Sequence, residues 1–149
     1  MLKSKVGFSI DVDSFKSGEE TAKIASHDMK NSKLGMLYTS VLSDVKEVVK
    51  GVKSVTNAPI IGCTSSGAIM VPEGVITSDH GFSGMMMLDD KDMTVGVACH
   101  EAGKDARAIG RKVAIEAVEN AKTTRAPAYF YMVASPKEEE DYLMGIQDV

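Results

Sequence analysis

Two hydrophobic periodicities alternate along this chain, and their alternation restricts the fold more than any single motif does. From Val6 to Asp13 the apolar residues Val6, Phe8, Ile10 and Val12 recur at every second position, the pattern of a half-buried strand. Ala22, Ala25 and Met29 then follow at helical spacing, which predicts a helix from about residue 17 to 30, with Ser17 and Glu20 as its capping box. Leu34–Ser40 is a short apolar run that reads as a buried strand. Asp44–Val55 sets Val45, Val48, Val49 and Val52 on one stripe, with lysines and Glu47 opposite. Valines are poor helix formers, so burial of the stripe has to outweigh roughly a few tenths of a kcal/mol for each. Asn57-Ala58-Pro59 ends that helix and opens the extended run Ile60-Ile61-Gly62-Cys63.

The pattern continues with a hairpin, Ile69–Val71 and Val75–Thr77, around Pro72-Glu73-Gly74. Phe82–Leu88 and Met93–Cys99 read as two antiparallel strands joined by the polar turn Asp89–Asp92. Lys104–Lys122 is predicted to be a long helix with Ile109, Val113, Ala117 and Ala121 spaced by four. Ala126–Ala134 reads as a strand, and Ser135-Pro136-Lys137-Glu138 opens a last helix with a capping box and Pro at its first position. This order predicts an α/β (mixed α+β) fold with a mixed β-sheet and helices. Gly35–Val55 also matches Tyr129–Val149 without gaps, setting Val48 against Tyr142, Gly51 against Gly145 and Val52 against Ile146. The expectation is an internally duplicated β-α-β-α-β unit whose second copy is truncated, so that residues 1–149 form a single domain incomplete at its C-terminus.

Composition removes several function classes. Apolar residues make up 44% and charged residues 26% of 149, the balance of a globular protein able to build a core. With 17 basic and 21 acidic residues the formal charge is -4, which argues against a phosphate-neutralising nucleic-acid surface. No Trp and 5% aromatics leave little for base stacking. No window approaches the ~20 apolar residues of a membrane span, and the N-terminus lacks the apolar stretch of a signal peptide. Two cysteines make no disulfide framework, so the expectation is a reduced, cytoplasmic protein.

Ile60–Ala68 is the most informative segment for chemistry. An apolar strand there delivers the chain into Cys63, Thr64, Ser65 and Ser66, bracketed by Gly62 and Gly67. Backbone N–H groups on a loop of small residues, together with three hydroxyls, can hold a carboxylate or another small anion. The same composition also suits a tight connection packed with small residues. The loop has neither the phosphate-binding Gly-x-x-x-x-Gly-Lys spacing nor the Gly-x-Ser-x-Gly of a nucleophile elbow. Cys63 with His80 or His100 as base is the alternative, a cysteine-dependent hydrolase or transferase, although a buried structural cysteine is the plainer reading. Cys99-His100-Glu101 has no partner at zinc spacing, so no metal and no cofactor are expected. Asp11 and Asp13 share a strand face as a carboxylate pair or a solvated strand end. Met85-Met86-Met87 reads as adaptable core packing. Arg107 and Arg111, a helical turn apart, can reach an anion or simply face solvent.

Val6-Gly7-Phe8-Ser9, Ser17–Ala22, Leu34–Ser40 with Gly51, and above all Ala58-Pro59-Ile60-Ile61-Gly62-Cys63-Thr64-Ser65-Ser66-Gly67 followed by Gly81–Leu88, resemble the N-terminal part of the FIST domain. The resemblance spans nearly the whole chain, and its specific part is the Gly-Cys-Thr-Ser-Ser-Gly stretch. It implies a non-catalytic sensory domain of a signal-transduction protein. Its ligand would be a small molecule such as an amino acid. Its partner would be an output domain such as a histidine kinase or chemotaxis receptor. The family supplies no binding residues. Gly62, Cys63, Thr64, Ser65, Ser66 and Gly67, with Arg107 as counter-charge, are assigned to the ligand from the residues alone.

Overall fold

The computed structural model describes residues 1–134 and 137–149 of the chain. They form two compact units, Met1–Met93 and Thr94–Val149.

In the first unit β1 (Lys3–Ser9), α1 (Ser14–Ser26), β2 (Ser32–Ser40), α2 (Val45–Val55) and β3 (Ile60–Ser65) alternate. A hairpin of β4 (Ile69–Val71) and β5 (Gly74–Ile76) follows, and then β6 (Ser83–Asp89). The four-stranded sheet has the order β1-β6-β2-β3. β2 and β3 are parallel, and β6 lies antiparallel between β1 and β2. Strands β1, β2 and β3 therefore point the same way, joined by helical crossovers that step in one direction across the sheet. Such steps leave α1 and α2 side by side on one face, where they pack against each other.

Alternation along the strands then sorts the side chains. Leu37 of β2 with Met85 and Met87 of β6 turn toward the helices. They close a core with Ala22 and Ala25 of α1, Val48 and Val52 of α2, and Ala58. The expected valine stripe thus splits: Val48 and Val52 are fully buried, Val49 packs beside them, and Val45 remains exposed. On the opposite face Ile69 of β4 closes over Gly84, where a Cβ would overlap its Cδ1.

The helices approach closely because glycine sits at their crossing. A Cβ on Gly18 would overlap the Val48 carbonyl, and a Cβ on Gly51 would overlap that of Phe15. A Cβ on Gly7 of β1 would likewise run into the Thr21 carbonyl of α1. The small side of β1, rather than its apolar side, is therefore the one laid against a helix.

The second unit holds α3 (Ala106–Asn120) and α4 (Glu139–Gln147), which pack on each other. Their crossing repeats the first. A Cβ on Gly110 would overlap the Tyr142 carbonyl, and one on Gly145 the Arg107 carbonyl.

Several expected boundaries move. β1 ends at Ser9, leaving Ile10 and Val12 exposed. α1 starts at Ser14, not Ser17, because the Asp13 side chain caps it by accepting the Lys16 N–H, while Ser17 is buried within the fold. β3 runs on through Thr64 and Ser65.

The expected strands Met93–Cys99 and Ala126–Ala134 are not in any ladder, and β6 pairs with β1 and β2 instead of with residues 93–99. A period of two reports one apolar face, Met93, Val95, Val97 and Cys99, but in residues 94–99 it is the small side that lies against a helix, as in β1: a Cβ on Gly96 would overlap the Ala117 carbonyl. The last helix begins at Glu139, with Glu138 as an N-cap that makes no side-chain cap bond. The capping box expected at Ser135 with Pro136 lies outside the described residues. Among the described residues no helix is long and apolar enough to cross a membrane.

Candidate functional site

The carboxyl ends of β1, β2 and β3 fall on one edge of the sheet, together with the start of β6. Ligands of open α/β sheets are usually met at this edge, because connecting loops converge there and helices begin there. Here both helix starts are already occupied by the chain's own carboxylates. Asp13 caps α1, and Asp44 Oδ1 accepts the Lys46 and Glu47 N–H groups at 3.0 and 3.2 Å. Asp11 in turn accepts the Asp13 N–H at 2.8 Å. Asp11 and Asp13 therefore lie beyond the strand and organise the entry to α1, rather than forming a carboxylate pair on a strand face.

The Phe82 carbonyl knits the edge together. It accepts from the Ser40 N–H at 2.9 Å, the Thr39 hydroxyl at 2.9 Å and the Ser43 hydroxyl at 3.4 Å. Gly81 precedes it with φ +107°, a conformation that favours glycine, and a Cβ there would also overlap Ser43 Oγ. Below the edge lies a buried hydroxyl cluster. Ser83 Oγ is 2.7 Å from both Ser17 Oγ and Thr21 Oγ1, and Thr21 also donates to the Ser83 carbonyl at 3.2 Å. Ser9 Oγ next to it donates to Glu20 at 2.6 Å, so the Glu20 carboxylate serves β1 rather than a capping box. All three hydroxyl residues of the cluster are nearly inaccessible. Such groups are tolerated because each has a partner, and here they tie α1 to the central strand. Reading the sequence missed this cluster. Its trace was Ser17 and Thr21 four residues apart on the face that carries Ala25.

The loop residues expected to bind a ligand divide by role. Gly62 is a packing glycine, since a Cβ there would overlap the Leu37 carbonyl of the neighbouring strand. Cys63 stands opposite Tyr38 in the β2–β3 register and is exposed with a free thiol, not buried as a structural cysteine would be. The reason is that Cys63 alternates with Gly62, which pairs with the core residue Leu37, and so takes the face of the sheet away from α1 and α2. Ser65 is held by the fold: its carbonyl accepts the Val41 N–H at 3.0 Å, and its hydroxyl donates to the Ala68 carbonyl at 3.0 Å. Thr64, Ser66 and Gly67 are exposed, and no atom lies within 4 Å of where a Gly67 Cβ would be.

Arg107 belongs to the second unit. It forks onto Asp148 with Nε and Nη2 at 2.8 and 2.9 Å. This hydrogen bond and charge hold the Asp148 carboxyl below the ordinary aspartate range and raise the guanidinium above its own. The two histidines considered as bases for Cys63 have other partners. His80 Nε2 lies 3.2 Å from the Ile10 carbonyl, and His100 Nε2 lies 2.8 Å from Glu116. Among the described residues no three His, Cys, Asp or Glu side chains are grouped to hold a metal ion.

At the amino end of the strands lies a shallow, open groove lined by Lys23, His27, Lys30, Asn57 and neighbouring residues. The ends of α1 and α2 border it. Their partial negative charge there disfavours an anion, despite the lysines.

A mixed sheet with two helices on one face, and a polar edge where its parallel strands end, defines a small α/β unit. The FIST N domain family matches residues 33–149, and the chain belongs to that family, a family of sensory domains. A comparison with curated proteins finds no match.

Proposed function

We propose that this FIST N domain is a non-catalytic sensor of a small carboxylate-bearing ligand, amino-acid-like in chemistry. The ligand sits on the end of β3 and the loop that follows it. The observation that carries this reading is the state of that loop. Thr64 and Ser66 are exposed beside an unobstructed Gly67, at the edge where the parallel strands end. Side chains spent on packing would not be left in this way. Hydroxyls and backbone N–H groups around residues 64–68 hold the ligand carboxylate. Arg107 takes no part, because its fork is used on Asp148. Binding biases the domain toward one packing, and an attached output domain such as a histidine kinase or chemotaxis receptor reads that bias. Two exposed free cysteines suit a reducing, cytoplasmic setting.

The test is thermal unfolding of the chain against amino acids and related small carboxylates at millimolar concentration. A ligand that binds only the folded form adds roughly 2.7 kcal/mol at a hundred times its dissociation constant. One chemical class should raise the midpoint, and Thr64→Ala with Ser66→Ala should remove the rise. A midpoint that no compound moves, or a rise that survives both substitutions, refutes the assignment.

A further inference from the structure

Two aliphatic side chains stand in water beside the candidate loop, on a turn that has no freedom to withdraw them. Val41 and Leu42 follow β2 directly and are 53% and 62% exposed. A turn between a strand and a helix is ordinarily built from polar residues and glycine. All four backbone N–H groups from Val41 to Asp44 nevertheless have partners: the Ser65 carbonyl at 3.0 Å, Ser40 Oγ at 3.1 Å, the Ser40 carbonyl at 3.1 Å and Ser14 Oγ at 3.0 Å. The exposure is therefore built into a fixed backbone and does not come from a loose segment. Nor does helix capping use these residues. In a hydrophobic staple the residue before the N-cap packs on the fourth helical residue, and for α2 those are Ser43 and Val48.

Sheet geometry puts this turn within reach of the loop hydroxyls. The parallel register pairs Thr39 with Thr64 and Ser40 with Ser65, and carried one residue further it sets Val41 beside Ser66. β2 and β3 are neighbours, so their ends lie about 5 Å apart. The exposed apolar residues of the β1–α1 turn, Ile10 and Val12, follow a strand three spacings from β3, or about 14 Å. A ligand of amino-acid size held on Thr64 and Ser66 spans the first distance and not the second.

We propose that Val41 and Leu42 select the ligand of this loop by its side chain, which is aliphatic, uncharged and about as long as that of leucine. This inference rests on the carboxylate reading of residues 64–68 and adds the chemistry of the ligand's other end. With the carboxylate on Thr64 and Ser66, the side chain has one strand spacing to cross, which is the reach of a leucine side chain. Against Val41 and Leu42 each added methylene leaves water, whereas a charged group would lose hydration and gain no hydrogen bond. A protein partner is not what two such side chains fit. A stable interface takes about 800 Å² from each partner, and here polar Ser43, Asp44 and Ser66 border the two aliphatic side chains.

The test is isothermal titration of the full chain with glycine, alanine, valine and leucine, and with serine, glutamate and lysine as polar controls. Affinity should rise about threefold for each methylene added from alanine to leucine, with no polar control tighter than alanine. Val41→Thr with Leu42→Ser should flatten that series while alanine binds as before. Both side chains are largely exposed, so the unfolding midpoint of this variant should stay near that of the parent. Thr64→Ala with Ser66→Ala should instead weaken every member of the series. If all members bind alike and the Thr64 and Ser66 changes abolish binding, the carboxylate reading stands and the selectivity inference is overturned. A series that survives the Val41 and Leu42 changes overturns it as well. No binding by any member refutes both readings. Self-association of the chain that Leu42→Ser abolishes means that a second copy covers the turn, which overturns assignment to a ligand.

Discussion

Replacing Gly18 by Ala sets two known effects against each other. Alanine is the better helix former by about 1 kcal/mol, so an unobstructed site would gain stability. At residue 18 the new Cβ would lie 2.8 Å from Val48 C and 3.0 Å from its Cα, and nearer still to the carbonyl oxygen. Ordinary contact begins near 3.4 Å, and the obstacle is backbone, so no side chain can swing aside. The helices must part, and the fully buried Ala22, Val48 and Val52 lose contact with them. Overpacking of this kind costs about 3 kcal/mol at the upper end of its usual range. After subtracting the propensity gain, the net loss is roughly 2 kcal/mol. Amide exchange in β2 and around Val48 reports the first unit separately from the second. There the loss should appear as an approximately thirtyfold fall in protection, at about 1.4 kcal/mol per tenfold. Gly67→Ala is the control. Nothing stands within 4 Å of its Cβ, so it should be neutral or slightly stabilising. If Gly18→Ala is also neutral, or gains the propensity term, the crossing does not depend on glycine and the packing argument fails.

Other substitutions probe other parts of the fold. Ser83→Ala should cost about 1 kcal/mol in the first unit by removing the hydroxyl that Ser17 and Thr21 share, leaving Thr21 the carbonyl of residue 83 and Ser17 the Ser9 carbonyl. The combined change with Ser17→Ala and Thr21→Val should recover most of that loss in the same exchange measurement. Because Arg107 depresses the Asp148 pKa, the contribution of this pair is present above the ordinary aspartate range. It is lost as pH falls through the lowered folded-state value, so acid should loosen the end of α4, and Asp148→Asn should remove that pH dependence. Native iodoacetamide treatment followed by mass spectrometry should modify both Cys63 and Cys99, as two exposed thiols require. Resistance at Cys63 would restore the buried-cysteine expectation.

Much of the first unit could be read from the chain because its signals are local. The Val48 and Val52 stripe and the Pro59 boundary each act within a few residues, and α2 and β3 lie where those signals place them. Gly62-Cys63-Thr64-Ser65-Ser66-Gly67 pointed to the family in the same local way. What the loop residues do was not legible. Gly62 stands against Leu37, and Ser65 bonds to Val41 and Ala68, so their roles depend on a neighbouring strand and on the path of the next turn.

The two expected strands that join no ladder show the same limit. Alternation in residues 93–99 and 126–134 records that one side is meant to be covered, but a strand exists only when another backbone meets its N–H and C=O groups. The sequence by itself determined which segments are helical, which are extended, and which small residues leave room for close approach. Tertiary structure alone decided that β6 enters between β1 and β2, that Ser17, Thr21 and Ser83 share hydrogen bonds under the edge, and that Cys63 faces solvent. Propensity and periodicity act over one or two turns of chain, whereas these pairings join residues more than forty positions apart or depend on which face of the sheet the helices cover.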